Sequence, residues 1–328
     1  MHTFMKQLLS GSSRRSGLWA AVVTVSIWTA FIIIARASAS QQLLPLDITC
    51  ARIMGASAVL LPWSWWNMRQ QRRNGIHAGS FWGLSPLPWR ITVITGFFGG
   101  FCYAVFAYSG FFFAPAAHGS VLMPGSLPLW TSLLAVFILG ERLHGYRLIG
   151  LAMIISGDLL VGGSSLRHAF DGGTVWIGDV LFMCASFCWS TYSVLSRRFQ
   201  LEPVYATTAI TCFAFFGFVP AYMLLCAFGV LPTQLWTAPW TEVLWQAAFQ
   251  GVGSVVISGI SFTVMIRAFG PVRSTMLTSL VPGLSALGAM LVLGEPMSWQ
   301  VMLGLSLVTL GIVFGVQSAK PTVLKATA

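Results

Sequence analysis

The side chains in this sequence that could do chemistry are few, and most lie inside long apolar stretches. Arg52, His118 and Gln250 are the polar candidates for contact with a small molecule. Arg52 could bind an anionic group such as a carboxylate. Alternatively, Arg52 has a structural role, and its side chain extends to the lipid headgroups or pairs with Asp47 or Asp158. His118 could carry a proton near neutral pH or act as a structural donor, and Gln250 could hydrogen-bond a ligand or a neighbouring helix.

Four aromatic residues form a second group of candidates for substrate binding: Trp28, Tyr103, Trp189 and Tyr192. Trp28 and Trp189 lie about ten residues into predicted helices, roughly 15 Å from the helix start. Tryptophans of the membrane interface do not lie so deep. These two side chains therefore either line a pocket or pack between helices and donate their N–H groups there.

Motifs that would indicate an enzyme, a metal centre or a channel are missing from the sequence. All six cysteines lie in apolar segments and none forms a CxxC pair. The five histidines are scattered, and no HExxH, HxxxD or GxSxG pattern occurs. A channel would be expected to have pore-lining rings of charge or a carbonyl filter, and neither is visible. We therefore predict no catalytic residue, no metal and no cofactor.

The helices that carry the candidate residues must lie in lipid. Only 8% of the 328 residues are charged and 56% are hydrophobic, whereas soluble domains have about 25% and 45–50%. So few charges cannot cover a soluble surface of this size, which excludes a soluble protein. About 20 apolar residues cross a bilayer as a helix. The apolar stretches predict an all-α integral membrane protein with ten transmembrane helices, at 18–36, 46–66, 91–113, 116–139, 146–163, 176–197, 205–229, 243–267, 271–293 and 299–318.

The first 40 residues resemble a secretory signal peptide, with Arg14 and Arg15 before an apolar stretch and small residues near Ala37 and Ala39. Cleavage is an alternative. However, the apolar stretch is long for a signal peptide and its pattern recurs later in the chain, so we expect a retained first helix.

The basic residues indicate the orientation in the membrane. If the amino terminus is cytoplasmic, 15 of the 18 lysines and arginines fall on cytoplasmic segments. This bias predicts a multi-pass membrane protein with both termini in the cytoplasm. Although the net charge is +10, the basic residues form small clusters between apolar stretches, so we predict no nucleic-acid partner.

The two halves of the chain resemble each other. At an offset of 154 residues, Gly140-Glu141 matches Gly294-Glu295, and Gly157 matches Gly311. Five helices per half is an odd number, so the second half enters the membrane from the opposite side and the repeats are inverted. We place the repeats at 18–163 and 176–318, the extracytoplasmic linker at 164–175, and cytoplasmic tails at 1–17 and 319–328.

Proline and glycine interrupt the fourth helix of each half, and we predict that these breaks line the central cavity. They are Pro124, Gly125, Pro128, Pro282 and Gly283. A proline in a helix leaves a carbonyl without its donor, and such groups avoid lipid. The alternative is a packing kink in which nearby serine and threonine hydroxyls satisfy the freed carbonyls.

Acidic residues lie near the ends of the predicted spans. Asp47, Asp158 and Asp179 all fall near the outer end, and Glu141 and Glu295 are expected to cap helices. We therefore expect a neutral or zwitterionic substrate rather than a lipophilic cation.

The chain resembles the EamA-domain transporters of the drug/metabolite transporter superfamily. The resemblance rests on two five-helix repeats, on a proline followed 13 residues later by a Gly-Glu turn, on Arg52 in Ala51-Arg52-Ile53, and on Gly140-Glu141-Arg142. It implies that the first, third and fourth helices of each half form the cavity. One departure is Gly294-Glu295-Pro296, which lacks the basic residue of the first repeat.

The resemblance also implies a function. We expect a secondary transporter that moves an amino acid or a similar small metabolite out of the cytoplasm by alternating access between the inverted repeats. Import of metabolites or nucleotide-linked sugars is the alternative, and a membrane enzyme or a channel fits less well. The expected partners are the lipid bilayer and a small-molecule substrate. We expect a monomer, with a homodimer as the alternative, because the small-residue pairs Gly96/Gly100 and Gly311/Gly315 suit packing within the chain.

Overall fold

The computed structural model of the chain describes residues 14–74, 79–141, 145–169, 172–278 and 280–317. These residues form ten long helical segments joined by short connections. The segments are α1 (Arg14–Ser38), α2 (Pro45–Arg73), α3 (Trp89–Phe113), α4 (Ala116–Leu139), α5 (Tyr146–Ala169), α6 (Val175–Arg198), α7 (Pro203–Ala227), α8 (Trp240–Phe269), α9 (Pro271–Leu293) and α10 (Trp299–Gln317).

Eight of these helices are long and apolar enough to cross a membrane, namely all except α5 and α10. In α10 the apolar part, Trp299–Phe314, is shorter. Large apolar side chains such as Phe137 and Leu291 are about four-fifths exposed, as lipid contact requires. The chain is therefore a multi-pass membrane protein.

The linker and the amino-terminal tail differ from the sequence prediction. Because α5 continues to Ala169 and α6 begins at Val175, the linker predicted at 164–175 is too long. Helix α1 begins at Arg14, so the end of the predicted amino-terminal tail is helical. The rest of that tail and the predicted tail at 319–328 lie outside the described residues.

Most packing contacts join helices from different halves of the chain. Helix α1 packs against α8 and α9, while α6 packs against α3 and α4. In the same way α2 packs against α8, and α7 against α3. When each helix is replaced by its counterpart in the other half, the pair α1–α8 becomes α6–α3, α1–α9 becomes α6–α4, and α2–α8 becomes α7–α3. Two pairs, α5 with α10 and α2 with α7, are their own counterparts.

Glycines allow the closest crossings. A Cβ atom on Gly157 of α5 would lie 2.6 Å from the carbonyl oxygen of Gly304 in α10. At the matching crossing, a Cβ on Gly311 would lie 2.5 Å from the oxygen of Gly150. Neither glycine can carry a side chain without separating the helices. These pairs are related by the 154-residue offset, so the repeated glycines serve the same contact twice.

Three helices contain a π-helical turn, which widens the helix locally and is frequent at functional sites. The turns are Phe97–Cys102 in α3, Val121–Gly125 in α4 and Ala247–Ile257 in α8. Helices α3 and α8 hold the same place in their halves. At the crossing of α2 with α8, a Cβ on Gly251 would lie 2.7 Å from the backbone nitrogen of Ala56.

The helix breaks fall close to the predicted prolines, with one correction. Pro128 stands in the first turn of the helix that resumes at Leu127. A backbone amide in the first turn makes no hydrogen bond within the helix, so a proline there costs none and Pro128 is not itself a break. In α9 the helix is interrupted at Thr278. The Thr278 carbonyl accepts from the Val281 amide at 3.0 Å, so the backbone and not a hydroxyl satisfies it.

Candidate functional site

The breaks of α4 and α9 face each other at the centre of the molecule. The Ser285 hydroxyl of α9 donates to the Ser120 hydroxyl of α4 at 2.9 Å, and both side chains are fully buried. A Cβ on Gly125 would lie 3.8 Å from the Pro282 ring. By contrast, Gly283 has open space beside its Cα and does not take part in this contact.

An aromatic cluster surrounds the breaks. It consists of Trp28, Tyr103, Trp189, Tyr192 and Phe262, from helices α1, α3, α6 and α8. Trp189 is its centre, with ring centroids 4.9 Å from Tyr103, 5.2 Å from Tyr192 and 5.7 Å from Trp28. The four aromatic residues predicted from the sequence are thus brought together. Phe262 was missed, because a single phenylalanine in an apolar helix gives no signal.

The polar atoms of the cluster are unevenly satisfied. The indole N–H of Trp28 donates to Ser258 at 3.2 Å, and the Tyr192 hydroxyl lies 3.1 Å from Thr263. The indole nitrogen of Trp189 is buried and has no hydrogen-bond partner among the described residues. A buried donor of this kind is costly when unpaired, so it is available to a ligand.

Arg52 of α2 lies next to the cluster. Its side chain is only 5% exposed, and its Nη1 donates to the Tyr108 hydroxyl at 3.2 Å and the Ser254 hydroxyl at 3.1 Å. The guanidinium carbon lies 5.7–5.9 Å from the ring centroids of Phe31, Tyr103 and Tyr108. These weak partners hold the guanidinium in place without neutralising its charge.

The structural partners predicted for Arg52 are wrong. The side chain is buried, so it does not reach the headgroups, and in the described part of the chain no carboxylate lies within ion-pair distance of it. Asp47 instead accepts hydrogen bonds from Tyr222 and Thr233, each at 2.6 Å. Asp158 accepts from Ser126. Arg52 is therefore a buried cation whose guanidinium can receive an anionic group.

Two small cavities adjoin Trp189, each of about 20 Å³. The first reaches Arg52 and Gly99, and the second is lined by Trp28, Tyr103 and Pro124. Each has room for about one water molecule, far below the roughly 300–1,000 Å³ of a typical ligand pocket. The structure is thus closed around its centre, and a substrate enters only after the helices move.

Gln250 is fully buried in the π-helical turn of α8, one helical turn before Ser254. Neither its amide nitrogen nor its amide oxygen has a partner among the residues described. The structure does not bring Gln250 to the two cavities, and its contact with a substrate stays a prediction.

His118 is not the isolated histidine that the sequence suggested. Its Nδ1 lies 2.8 Å from a carboxylate oxygen of Asp179, and both side chains are largely buried. The pair joins the start of α4 to the start of α6, away from the aromatic cluster.

Glu295, which the sequence predicted as a helix cap, bonds to residues of two other helices. Its carboxylate lies 2.5 Å from Nε of Arg36 at the end of α1 and accepts from the Ala116 amide at the start of α4, at 2.9 Å. Arg36 also donates to the carbonyl of Phe111 at 2.8 Å. Glu295 therefore links the end of α1 and the start of α4 to the end of α9.

Asp158 is the clearest departure from the expectation that acids avoid the middle of each span. Because α5 runs from Tyr146 to Ala169, Asp158 is the thirteenth of its 24 residues. The predicted end of this helix at residue 163 had placed it near a terminus.

The model of the EamA-like transporter family matches residues 15–163 and again residues 176–316. A crystal structure superposes with a TM-score of 0.60 at 23% identity, covering 93% of this chain and 98% of the other, which shows the shared fold.

Three curated proteins are similar over part of the chain. A "Probable amino-acid metabolite efflux pump" of Escherichia coli is 26% identical over 63% of this chain and 70% of its own length. The "Aromatic amino acid exporter YddG" of Ancylobacter novellus is 30% identical over 48% and 60%. An "Uncharacterized transporter" of Clostridium kluyveri is 22% identical over 57% and 59%. The chain thus spans 59–70% of the length of these relatives.

The family model covers both halves of the chain, and the helices are those of a membrane protein. The chain therefore belongs to the EamA-like transporter family of the drug/metabolite transporter superfamily, and it is a transporter rather than an enzyme.

Proposed function

We propose that the protein exports an amino acid with an apolar, preferably aromatic, side chain. It works by alternating access between two inverted repeats, 18–163 and 176–318, in the bacterial inner membrane with both termini cytoplasmic. The two matches to the family model and the exchange symmetry of the helix packing support the repeats. The names of the Escherichia coli and Ancylobacter novellus relatives support export of amino acids.

The observation that carries this proposal is the position of Arg52 beside the aromatic cluster. A buried guanidinium that has no carboxylate partner in the described part of the chain suits the carboxylate of an amino acid, which it can bind through two parallel hydrogen bonds. The rings of the cluster suit an aromatic side chain, and their faces attract the ammonium group. Trp189 supplies a free N–H donor between the two cavities.

Counterflow in proteoliposomes tests the proposal. Vesicles loaded with unlabelled phenylalanine should accumulate labelled phenylalanine in a saturable, protein-dependent way. Phenethylamine, which keeps the ring and the ammonium group but lacks the carboxylate, should not compete. If no amino acid of a complete panel is transported, or if phenethylamine competes as well as phenylalanine, the proposal is wrong.

The ion pair between Arg36 and Glu295 suggests how one face of the transporter closes. In the sequence repeat, Arg36 corresponds to Arg197, and Glu295 corresponds to Glu141. In the described residues no ion pair joins Arg197 to Glu141, and Glu141 is instead bound by Arg147 at 3.3 Å. If inverted repeats exchange conformations during transport, the Arg197–Glu141 pair forms when the Arg36–Glu295 pair breaks.

Changing Glu295 to glutamine should therefore open the face where α1 ends. We expect a cysteine at Met123, which lines the central cavity, to react several-fold faster with a membrane-impermeant thiol reagent in the Glu295→Gln background. The reason is that the two side chains are partly buried, and a neutral amide no longer forms the ion pair that holds Arg36 in place. Gln200→Glu, an exposed change at the end of α6, is the control. Equal labelling rates with and without Glu295→Gln would show that this ion pair does not control access.

A further inference from the structure

Asp158 is a buried acid that the binding of an amino acid does not use. It lies in the middle of α5 and is 7% exposed. Its side chain lines the inner wall of an apolar groove of about 700 Å³ between α3, α4, α5 and α6. Other residues of the wall, such as Leu159 and Val180, are about half exposed or more, so the groove opens toward lipid.

In the described residues, one of the two oxygens of the Asp158 carboxyl group has a hydrogen-bond partner. Its Oδ2 accepts a hydrogen bond from Ser126 at 2.7 Å, whereas Oδ1 is buried without any partner in the part of the chain described. No arginine, lysine or histidine is among the residues that line the groove. Besides Asp158, the titratable residues that line the groove are Cys102 of α3 and Asp179, Cys184 and Cys188 of α6, and Asp179 is paired with His118 of α4. The apolar part of α10 that packs on α5 has none.

A proton suits this site better than a ligand does. An ionised carboxylate buried in this apolar wall, with one hydroxyl as its only partner among the described residues, would be strongly unfavourable. A lipophilic ammonium ion in the groove could neutralise it, but Oδ1 exposes less than 1 Å² and cannot be touched from the groove. A proton needs no such space. The acid is therefore neutral in this closed conformation.

The site is joined to the substrate cavity through α4. Ser126, which donates to Asp158, directly follows the π-helical turn Val121–Gly125. In that turn, Met123 and Pro124 line the cavity beside Trp28. A change of charge on Asp158 thus acts on the segment of α4 that must move to admit a substrate.

We propose that Asp158 is the proton-binding group that couples transport to the proton gradient. In the closed conformation the carboxylic acid is intact. When α4 moves and water reaches the groove wall, the O–H bond breaks, the proton passes to water, and the carboxylate keeps the electron pair. One proton taken up at one face and released at the other thus accompanies each transport cycle. This inference rests on the proposed function.

Asp158→Asn is the decisive variant, because asparagine has nearly the same shape, can still accept from Ser126 and holds no exchangeable charge. In proteoliposomes, an imposed pH gradient should accelerate net phenylalanine transport several-fold for the parent protein and not at all for Asp158→Asn. Counterflow at equal pH on both sides should continue, since it needs no net proton movement. Cys184→Ser, a change in the same groove, is the matched control and should keep the response to the gradient.

A second variant and a second measurement separate this inference from the proposed function. Ser126→Ala removes the one donor to the carboxylate found among the described residues, so the ionised form loses its hydrogen bond and the pH profile of transport should move to higher pH. Infrared difference spectra of the purified protein should show the carbonyl band of a protonated carboxylic acid at neutral pH, lost in Asp158→Asn. This band needs no substrate, so it remains informative if phenylalanine is not transported. A gradient response retained by Asp158→Asn, or a parent spectrum without the band, would overturn the inference.

Discussion

Replacing Arg52 with methionine should lower the affinity for phenylalanine by about 100-fold while leaving the protein at least as stable. Truncating one partner of a buried, hydrogen-bonded charge pair costs about 2–5 kcal/mol of binding, and about 2.7 kcal/mol corresponds to 100-fold. Without substrate, Arg52 is a buried cation with no carboxylate partner among the residues described. Its replacement by an apolar side chain of similar length therefore removes an unfavourable charge.

The two effects have opposite signs, which makes the experiment specific. Binding is measured by the concentration dependence of counterflow, and stability by the thermal unfolding of the purified protein without substrate. Arg52→Lys should give an intermediate affinity, because lysine keeps the charge but not the planar fork. Arg69→Met is the matched control on the same helix, since Arg69 is exposed and stacks 3.7 Å from the ring centroid of Trp65. If Arg52→Met lowers stability and the folded fraction binds normally, Arg52 is structural.

Replacing Gly55 with alanine should destabilise the protein by about 1–3 kcal/mol or more, the usual cost of overpacking. Gly55 lies where α2 crosses α8, and an added Cβ would lie 2.7 Å from the carbonyl carbon of Ala247 and 2.9 Å from its Cα. The obstacle is backbone, which cannot turn aside as a flexible side chain can. The helices must separate, and the contact between Arg52 of α2 and Ser254 of α8 is lost with them.

The loss of stability is measured by thermal unfolding in detergent, and the displacement of Arg52 by the affinity of the remaining folded protein. Gly283→Ala is the control, because no atom lies within 4 Å of the Cβ that it would add. We expect that variant to stay within about 0.5 kcal/mol of the parent. A Gly55→Ala protein as stable as the parent would show that α2 and α8 do not cross closely at this residue.

Much of the helical architecture could be predicted because lipid imposes strict local rules. An apolar stretch must be long enough to cross the bilayer, and charged residues collect at its ends. The predicted span 116–139 coincides with α4, and 271–293 with α9. The end of α5 was misplaced because its last residues, 164–169, include two serines, an arginine and a histidine, which interrupt the apolar stretch although the helix continues through them.

The candidate site was found in part. Trp28, Tyr103, Trp189 and Tyr192 stood out by type and depth, and the structure places them in one cluster. The partners of Arg52 could not be found in the same way, since Ser254 lies about 200 residues away and serines are common in every helix.

Helix positions, the internal repeat and the identity of the deep polar and aromatic residues follow from local composition, because each depends on how a single segment meets lipid. Which of those residues touch each other is decided by packing between the two halves. That packing joins Arg36 to Glu295 and puts Ser254 beside Arg52, which has no carboxylate partner among the described residues. Each contact arises from the close approach of helices far apart in the chain, which no local pattern encodes.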